Sequence, residues 1–236
     1  MPRVAIISDV HANFPALRAV INALENEQPD VWICLGDLVG YGPHPKECIE
    51  EIRSRNMVCV LGNHDAGVTG NLSLKHFRNP NRKLIELTKK LITEDQIKWL
   101  SSLPLTIDNK EQGWIAAHAS PEEPENWEYL DSAFKVRKIL PQLDQPLCFV
   151  GHTHHPAMVS DTIGLKVFKK DHNYLINPGS VGQSRDGDNR ASCSFVDTDK
   201  FEYKNIRVTF NVDSVLRDLE KLGFTQGEAE HLMRVK

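Results

Sequence analysis

Seven residues of the kinds that hold metal ions stand out by type and spacing: Asp9 and His11, Asp37, Asn63, His118, and His152 with His154. They offer carboxylate, amide and imidazole donors and no thiolate. Such donors suit manganese, iron, cobalt, nickel or zinc better than calcium. Seven donors are too many for one catalytic zinc that keeps an open position, and they match two ions that share a carboxylate. Two divalent ions roughly 3.5–4 Å apart can acidify a shared water and neutralise a phosphoryl group. Taken singly, the pieces say little. Asp-x-His is common, Gly-Asn-His-Asp reads as a turn, and Gly-His-x-His reads as an exposed loop. Together they differ, because each directly follows an apolar run.

Those runs are the elements that must position the donors. Val4–Ile7 is a short buried strand that ends in Ser8-Asp9-Val10-His11. Val31–Leu35 leads into Gly36-Asp37, and Met57–Leu61 into Gly62-Asn63-His64-Asp65. Trp114–Ala117 precedes His118, and Leu147–Val150 precedes Gly151-His152-Thr153-His154. Between the first strands lie helical patterns. Leu17, Val20, Ile21 and Leu24 recur at i, i+3, i+4 and i+7 behind Pro15, and Ile49 and Ile52 follow Pro45. The start therefore reads β-α-β-α-β, with parallel strands covered by helices. In an open α/β sheet, ligands bind outside the carboxyl ends of the strands, where all seven donors fall. Gly36, Gly62 and Gly151 each precede a donor, as a tight turn near the site requires.

Residues 82–100 are helical by period, with Thr93-Glu94-Asp95-Gln96 a capping box that opens a second helix. Another strand is expected at Tyr174–Ile176, and the segment from 157 to 210 is mostly β. Phe201 and Tyr203, then Ile206, Val208 and Phe210, alternate with a slip of phase that predicts a bulge. The tail is helical, with Val215, Leu216, Leu219 and Leu222 and a second capping box at Thr225–Glu228. No repeat or long linker divides residues 1–236, so a single domain is expected.

Composition bounds the function. The 236 residues are 40% hydrophobic and 25% charged, with a net charge of −4, values of a soluble globular protein. There is no strong nucleic-acid signal, no attraction to an anionic membrane, and no apolar run long enough to span one. Of five cysteines, Cys34, Cys59 and Cys148 sit in apolar runs and no Cys-x-x-Cys pair occurs; all five are expected free, in a reducing cytoplasm. His155 follows His154 and should face away from the donors. His44, His76, His172 and His231 lack ligand spacing and are expected at the surface.

The order Asp-x-His, Gly-Asp, Gly-Asn-His-Asp, His, Gly-His-x-His resembles that of the calcineurin-like metallophosphoesterases. Asn177-Pro178-Gly179-Ser180-Val181 is similar to a downstream element of the small bacterial and archaeal phosphodiesterase type. The resemblance implies an α/β fold, a two-sheet β-sandwich flanked by helices, with a dinuclear centre. It implies that Asp9, His11 and His154 hold one metal, that Asn63, His118 and His152 hold the other, and that Asp37 bridges them. It places His64 toward the substrate and Asn13 at the phosphate. Arg185, in a polar loop, could reach a phosphate or be a solvated loop charge; it is carried forward as a substrate-binding candidate. Gly40 stands where the protein-phosphatase branch has an Asp that pairs with the active-site His, and no Arg follows. That argues against a protein phosphatase and leaves the orientation of His64 unexplained.

The expected activity is hydrolysis of phosphate esters, most readily a small or nucleotide-type phosphodiester. A metal-bridging hydroxide would attack in line and His64 would assist the leaving group. A phosphomonoesterase and a dinucleoside polyphosphate hydrolase are the alternatives, and a non-catalytic scaffold of this fold is a distant one. The cofactors are two divalent ions, manganese first, with iron, nickel, cobalt, zinc or magnesium as alternatives. The partner is a small phosphoester, and a homodimer is plausible.

Overall fold

The computed structural model describes residues 2–77 and 79–234. Its first five-stranded sheet has the order β10-β9-β1-β2-β3. β1 (Arg3–Ile7), β2 (Val31–Cys34) and β3 (Val58–Cys59) run parallel. β9 (Ala191–Asp197) and β10 (Glu202–Val208) complete it antiparallel. The second sheet has the order β4-β5-β6-β8-β7. Its centre, β5 (Trp114–Ala117), β6 (Leu147–Phe149) and β8 (Tyr174–Asn177), is parallel, and β4 (Thr106–Asn109) and β7 (Ala157–Ser160) are antiparallel edges.

Side-chain alternation decides how the layers stack. In β1, Val4 and Ile6 meet Trp114, Phe149 and Ile176 of the other sheet, while Ala5 and Ile7 face a helical layer. α1 (Phe14–Glu25) and α2 (Pro45–Ser54) cover that outer face through Leu17, Val20, Ile21, Leu24, Ile49 and Ile52. α6 (Ala133–Ile139) covers the second sheet through Val136 and Ile139 against Cys148, Val150 and Leu175. The result is the two-sheet sandwich flanked by helices.

The remaining helices are α3 (Asn63–Thr69), α4 (Asn79–Leu91), α5 (Glu94–Ser101), α7 (Val212–Lys221) and α8 (Gln226–Met233). Both capping boxes form: Thr93 with Gln96 opens α5, and Thr225 with Glu228 opens α8. β10 corrects the expected bulge. Its register with β9 runs without a break from Glu202 opposite Asp197 to Val208 opposite Ala191. The slip in the apolar pattern has another cause. Tyr203 packs into the layer between the sheets, and Ile206 and Val208 pack on the helical side, so the strand is apolar on both faces. β3 is also shorter than its apolar run, because Leu61 leaves the ladder to bond Pro104. No helix among the described residues is long and apolar enough to cross a membrane.

Candidate metal centre

The carboxyl ends of β1, β2, β3, β5 and β6 deliver the seven donors to one place. The loops interlock through their backbones: the N–H of Asp9 bonds the Gly36 carbonyl at 3.1 Å, and those of His11 and Ala12 bond the carbonyls of Asp37 and Leu38 at 2.8 Å. Five of the donors, Asp9, His11, Asp37, His152 and His154, have φ between 48° and 65°. That left-handed region is costly for residues with a side chain and tends to occur at functional sites. Two glycines make the approach possible. A Cβ on Gly36 would lie 2.5 Å from the Gly62 nitrogen, and one on Gly62 would lie 2.2 Å from the Asp37 carboxylate.

The donors fall into two groups around Asp37. Asp9 Oδ1 lies 3.3 Å from His154 Nε2 and 3.8 Å from His11 Nε2. His118 Nε2 lies 3.1 Å from His152 Nδ1 and 3.2 Å from Asn63 Oδ1. Asp37 Oδ2 is 3.7 Å from His11 Nε2 and 3.4 Å from His118 Nε2, between the groups. Among the described residues, three clusters could hold a cation: Asp9 with His11 and His154, His11 with Asp37 and His64, and Asp37 with His118 and His152.

Three of the imidazoles are pinned from behind. The Nδ1 atoms of His11, His118 and His154 meet the carbonyls of Val39, Leu35 and Gln183 at 3.1, 2.6 and 2.5 Å. A carbonyl only accepts, so each Nδ1 carries a proton and each Nε2 is the atom turned toward the carboxylates. The Nε2 atoms of His11 and His154 then face each other at 3.1 Å, a contact that calls for a cation. Asp9 Oδ1 is buried with no hydrogen-bond partner.

The charges point the same way. Burial alone would push the Asp9 carboxyl up, but the facing His154 and His118 outweigh it and hold it below its usual range. Asp37 behaves alike, with His118, His64 and His11 outweighing burial. Burial takes the His152 imidazole down to about 3, with His118 adding to the effect. Two buried carboxylates thus need adjacent positive charge, which divalent ions supply without protonating the imidazoles. The donor set fits such ions.

The sequence comparison agrees with this geometry. The calcineurin-like phosphoesterase family matches residues 2–156, a span that holds all seven donors. The chain belongs to that family. It is a hydrolase of phosphoester bonds, and its family works with divalent metal ions. This phosphoesterase is 42% identical over 231 residues, 92% of each chain, to an uncharacterized protein of Methanocaldococcus jannaschii. It matches the crystal structure of a metallophosphoesterase from Sphaerobacter thermophilus with a TM-score of 0.81 at 36% identity, over 98% of this chain and 97% of that one. It is 32% identical over 118 residues to a symmetrical bis(5'-nucleosyl)-tetraphosphatase of Proteus mirabilis, covering 48% of this chain and 43% of that protein.

The phosphoesterase pocket opens over the donors, with a volume of about 370 Å³. His64 lines it, and its orientation now has a cause. It is the second residue of α3, its backbone N–H donates to Asp37 Oδ1 at 2.8 Å, and its ring packs among His11, Tyr41 and Phe77. Gly40 makes the space: a Cβ there would lie 2.6 Å from His64 Nδ1. The residue that would carry the pairing Asp elsewhere is here the absence of a side chain. Burial lowers the His64 pKa, with the Asp37 charge opposing. Arg185 also reaches the pocket, its guanidinium 3.4 Å from the Tyr41 hydroxyl and bonded to Gln183 Oε1 at 3.2 Å.

Asn13 lies below the donors. It is fully buried and caps α1. Its Oδ1 accepts from the Ala16 N–H at 3.1 Å, and its Nδ2 donates to the Gly182 carbonyl at 3.1 Å. Both ends are engaged inside the fold, and Asn13 holds the start of the helix. His76 is a surprise: it is exposed, yet it lines the pocket. His44 is only half-buried and is paired with Asp218 at 3.0 Å. His155 turns to its own loop, with its Nδ1 2.8 Å from the Thr153 carbonyl.

Sequence reasoning passed over several residues. Asp65 accepts from the Gly62 and Val39 N–H groups and so ties two donor loops together; burial and then the Asp37 charge push its carboxyl up to about 8. Its signal was an acid three residues after the helix cap. Gln183 joins the His154 anchor and Arg185 to the Leu232 carbonyl of α8. Tyr41, Phe77, Trp127 and Tyr129 line the pocket without any local spacing that marks them.

Proposed function

We propose that the enzyme hydrolyses phosphodiesters of small, nucleotide-type substrates with two divalent ions held by the seven donors. The observation that carries this reading is the set of inward Nε2 atoms facing two buried carboxylates, with His64 and Arg185 on the wall beside them. The ions would supply a water acidified toward neutral pH and a counter-charge for the phosphoryl oxygens. Arg185 would orient the phosphate with its planar fork of donors. His64 would hand a proton to the departing alkoxide. Burial keeps it neutral in the free enzyme, and the negative charge of bound phosphate raises its pKa when the proton is needed.

The likeness to a symmetrical bis(5'-nucleosyl)-tetraphosphatase, over about half of each chain, supports a nucleotide and makes a dinucleoside polyphosphate the second reading. Nitrogen and oxygen donors without thiolate support manganese over softer-site metals. Five buried free cysteines support a reducing cytoplasm.

The test is a screen of metal-stripped protein reloaded with Mn, Ni, Co, Zn or Mg, against diesters, monoesters, cyclic nucleotides and dinucleoside polyphosphates. Diester turnover with two ions per chain is expected. Full activity with one ion per chain, or turnover of monoesters alone, would refute the proposal.

A further inference from the structure

The pocket has one feature that phosphoryl chemistry does not use. The loop after β5 carries Trp127 and Tyr129 onto the pocket wall. The Tyr129 ring stacks on the His152 imidazole with centroids 4.0 Å apart and planes at 27°, yet the residue remains 44% exposed. Trp127 meets His118 edge-on at 5.9 Å and holds φ 53°, a conformation that bulky side chains avoid. Two large aromatics are thus set above the two imidazoles of one donor group, and Tyr129 is still open to a ligand. Other exposed apolar side chains, such as Phe134 and Ile163, line no part of this pocket. Arg185 supplies positive charge on the same pocket. A flat π-surface next to a phosphate site matches one ligand class well: a phosphate ester whose organic part is itself flat.

We propose that Trp127 and Tyr129 form a subsite that stacks the nucleobase of a nucleotide substrate while its phosphate sits over the donors. This rests on the phosphodiesterase reading for the position of the phosphate. Base-on-aromatic stacking tolerates any base, so the subsite selects nucleotides as a class and does not rank them. It acts on binding, because the base does not change during hydrolysis.

The experiment compares adenosine 5'-monophosphate with ribose 5-phosphate by calorimetry on the metal-loaded enzyme. The two share the phosphate and the sugar and differ by the base. The nucleotide should bind about 5- to 100-fold more tightly. Trp127→Ala and Tyr129→Leu should each shrink that ratio while leaving the affinity for ribose 5-phosphate and the metal content unchanged. In turnover, KM should rise for nucleotide diesters and stay constant for a methyl ester, with kcat little altered. Equal binding of the two ligands by the unaltered enzyme overturns the subsite. So does a ratio that survives both substitutions, or an equal loss for both ligands accompanied by loss of metal, which would make the aromatics mere supports for His152 and His118. The two ideas fail separately. A base preference without ester hydrolysis would sink the reaction and keep the subsite; hydrolysis of nucleotide and methyl esters with the same KM would do the reverse.

Discussion

The floor of the pocket and its walls are built on different terms. On the floor, every donor leaves the end of a strand, and most are held by backbone atoms. Carbonyls fix three imidazoles, N–H groups fix the Asp9 and Asp37 carboxylates, and a missing Cβ at Gly62 lets two loops touch. On the walls, the side chains come from loops near 72–77, 126–129 and 185, and their neighbours are other side chains. Backbone anchoring leaves little freedom to vary, as a fixed ligand geometry demands. Side-chain walls can change shape without disturbing the sheet. The difference separates a backbone-anchored floor from a wall of side chains within one site.

The most damaging test of that division is Asp37→Ala. Asp37 lies between both donor groups and also accepts the His64 N–H. Its removal should strip metal from both groups and abolish activity, a fall of more than about 10³-fold, read by elemental analysis beside turnover. A variant that kept two ions and its rate would erase the distinction between floor and wall.

His64 stands on the boundary, with its backbone bonded to the floor and its ring in the wall. His64→Ala should leave both ions bound. The rate should fall roughly 10²–10⁴-fold for alkyl esters and much less for nitrophenyl esters, whose leaving group hardly needs a proton. Equal losses for both would recast His64 as a charge on the phosphoryl oxygens. Loss of metal would move it to the floor.

The smallest expected effect belongs to the wall. Arg185→Ala should raise KM by roughly 10- to 100-fold, the range for a charged hydrogen bond to phosphate, with metal content unchanged and kcat reduced less. Steady-state kinetics on one diester decides it. An effect confined to kcat would place Arg185 in the transition state and not in substrate capture.

The sequence by itself determined the floor. Asp9, His11, Asp37, Asn63, His118, His152 and His154 were legible because each follows its strand by one to five residues, so chain order and the crest of an α/β sheet place them together before any contact is known. The same local logic found the capping boxes at Thr93 and Thr225. A local element can also claim a residue that a motif offers. Asn13 stands in the right pattern beside His11, but α1 begins next to it, and a helix start claims a nearby Asn for its free N–H groups. Only the tertiary structure decided that Gly40 makes room for His64, that Gln183 ties Arg185 to α8, and that Trp127 and Tyr129 sit over His118 and His152. Those arrangements join residues 9 to 49 positions apart along the chain. No periodicity encodes them, because an aromatic or an amide at a pocket wall takes its role from whatever surface the folded chain brings opposite.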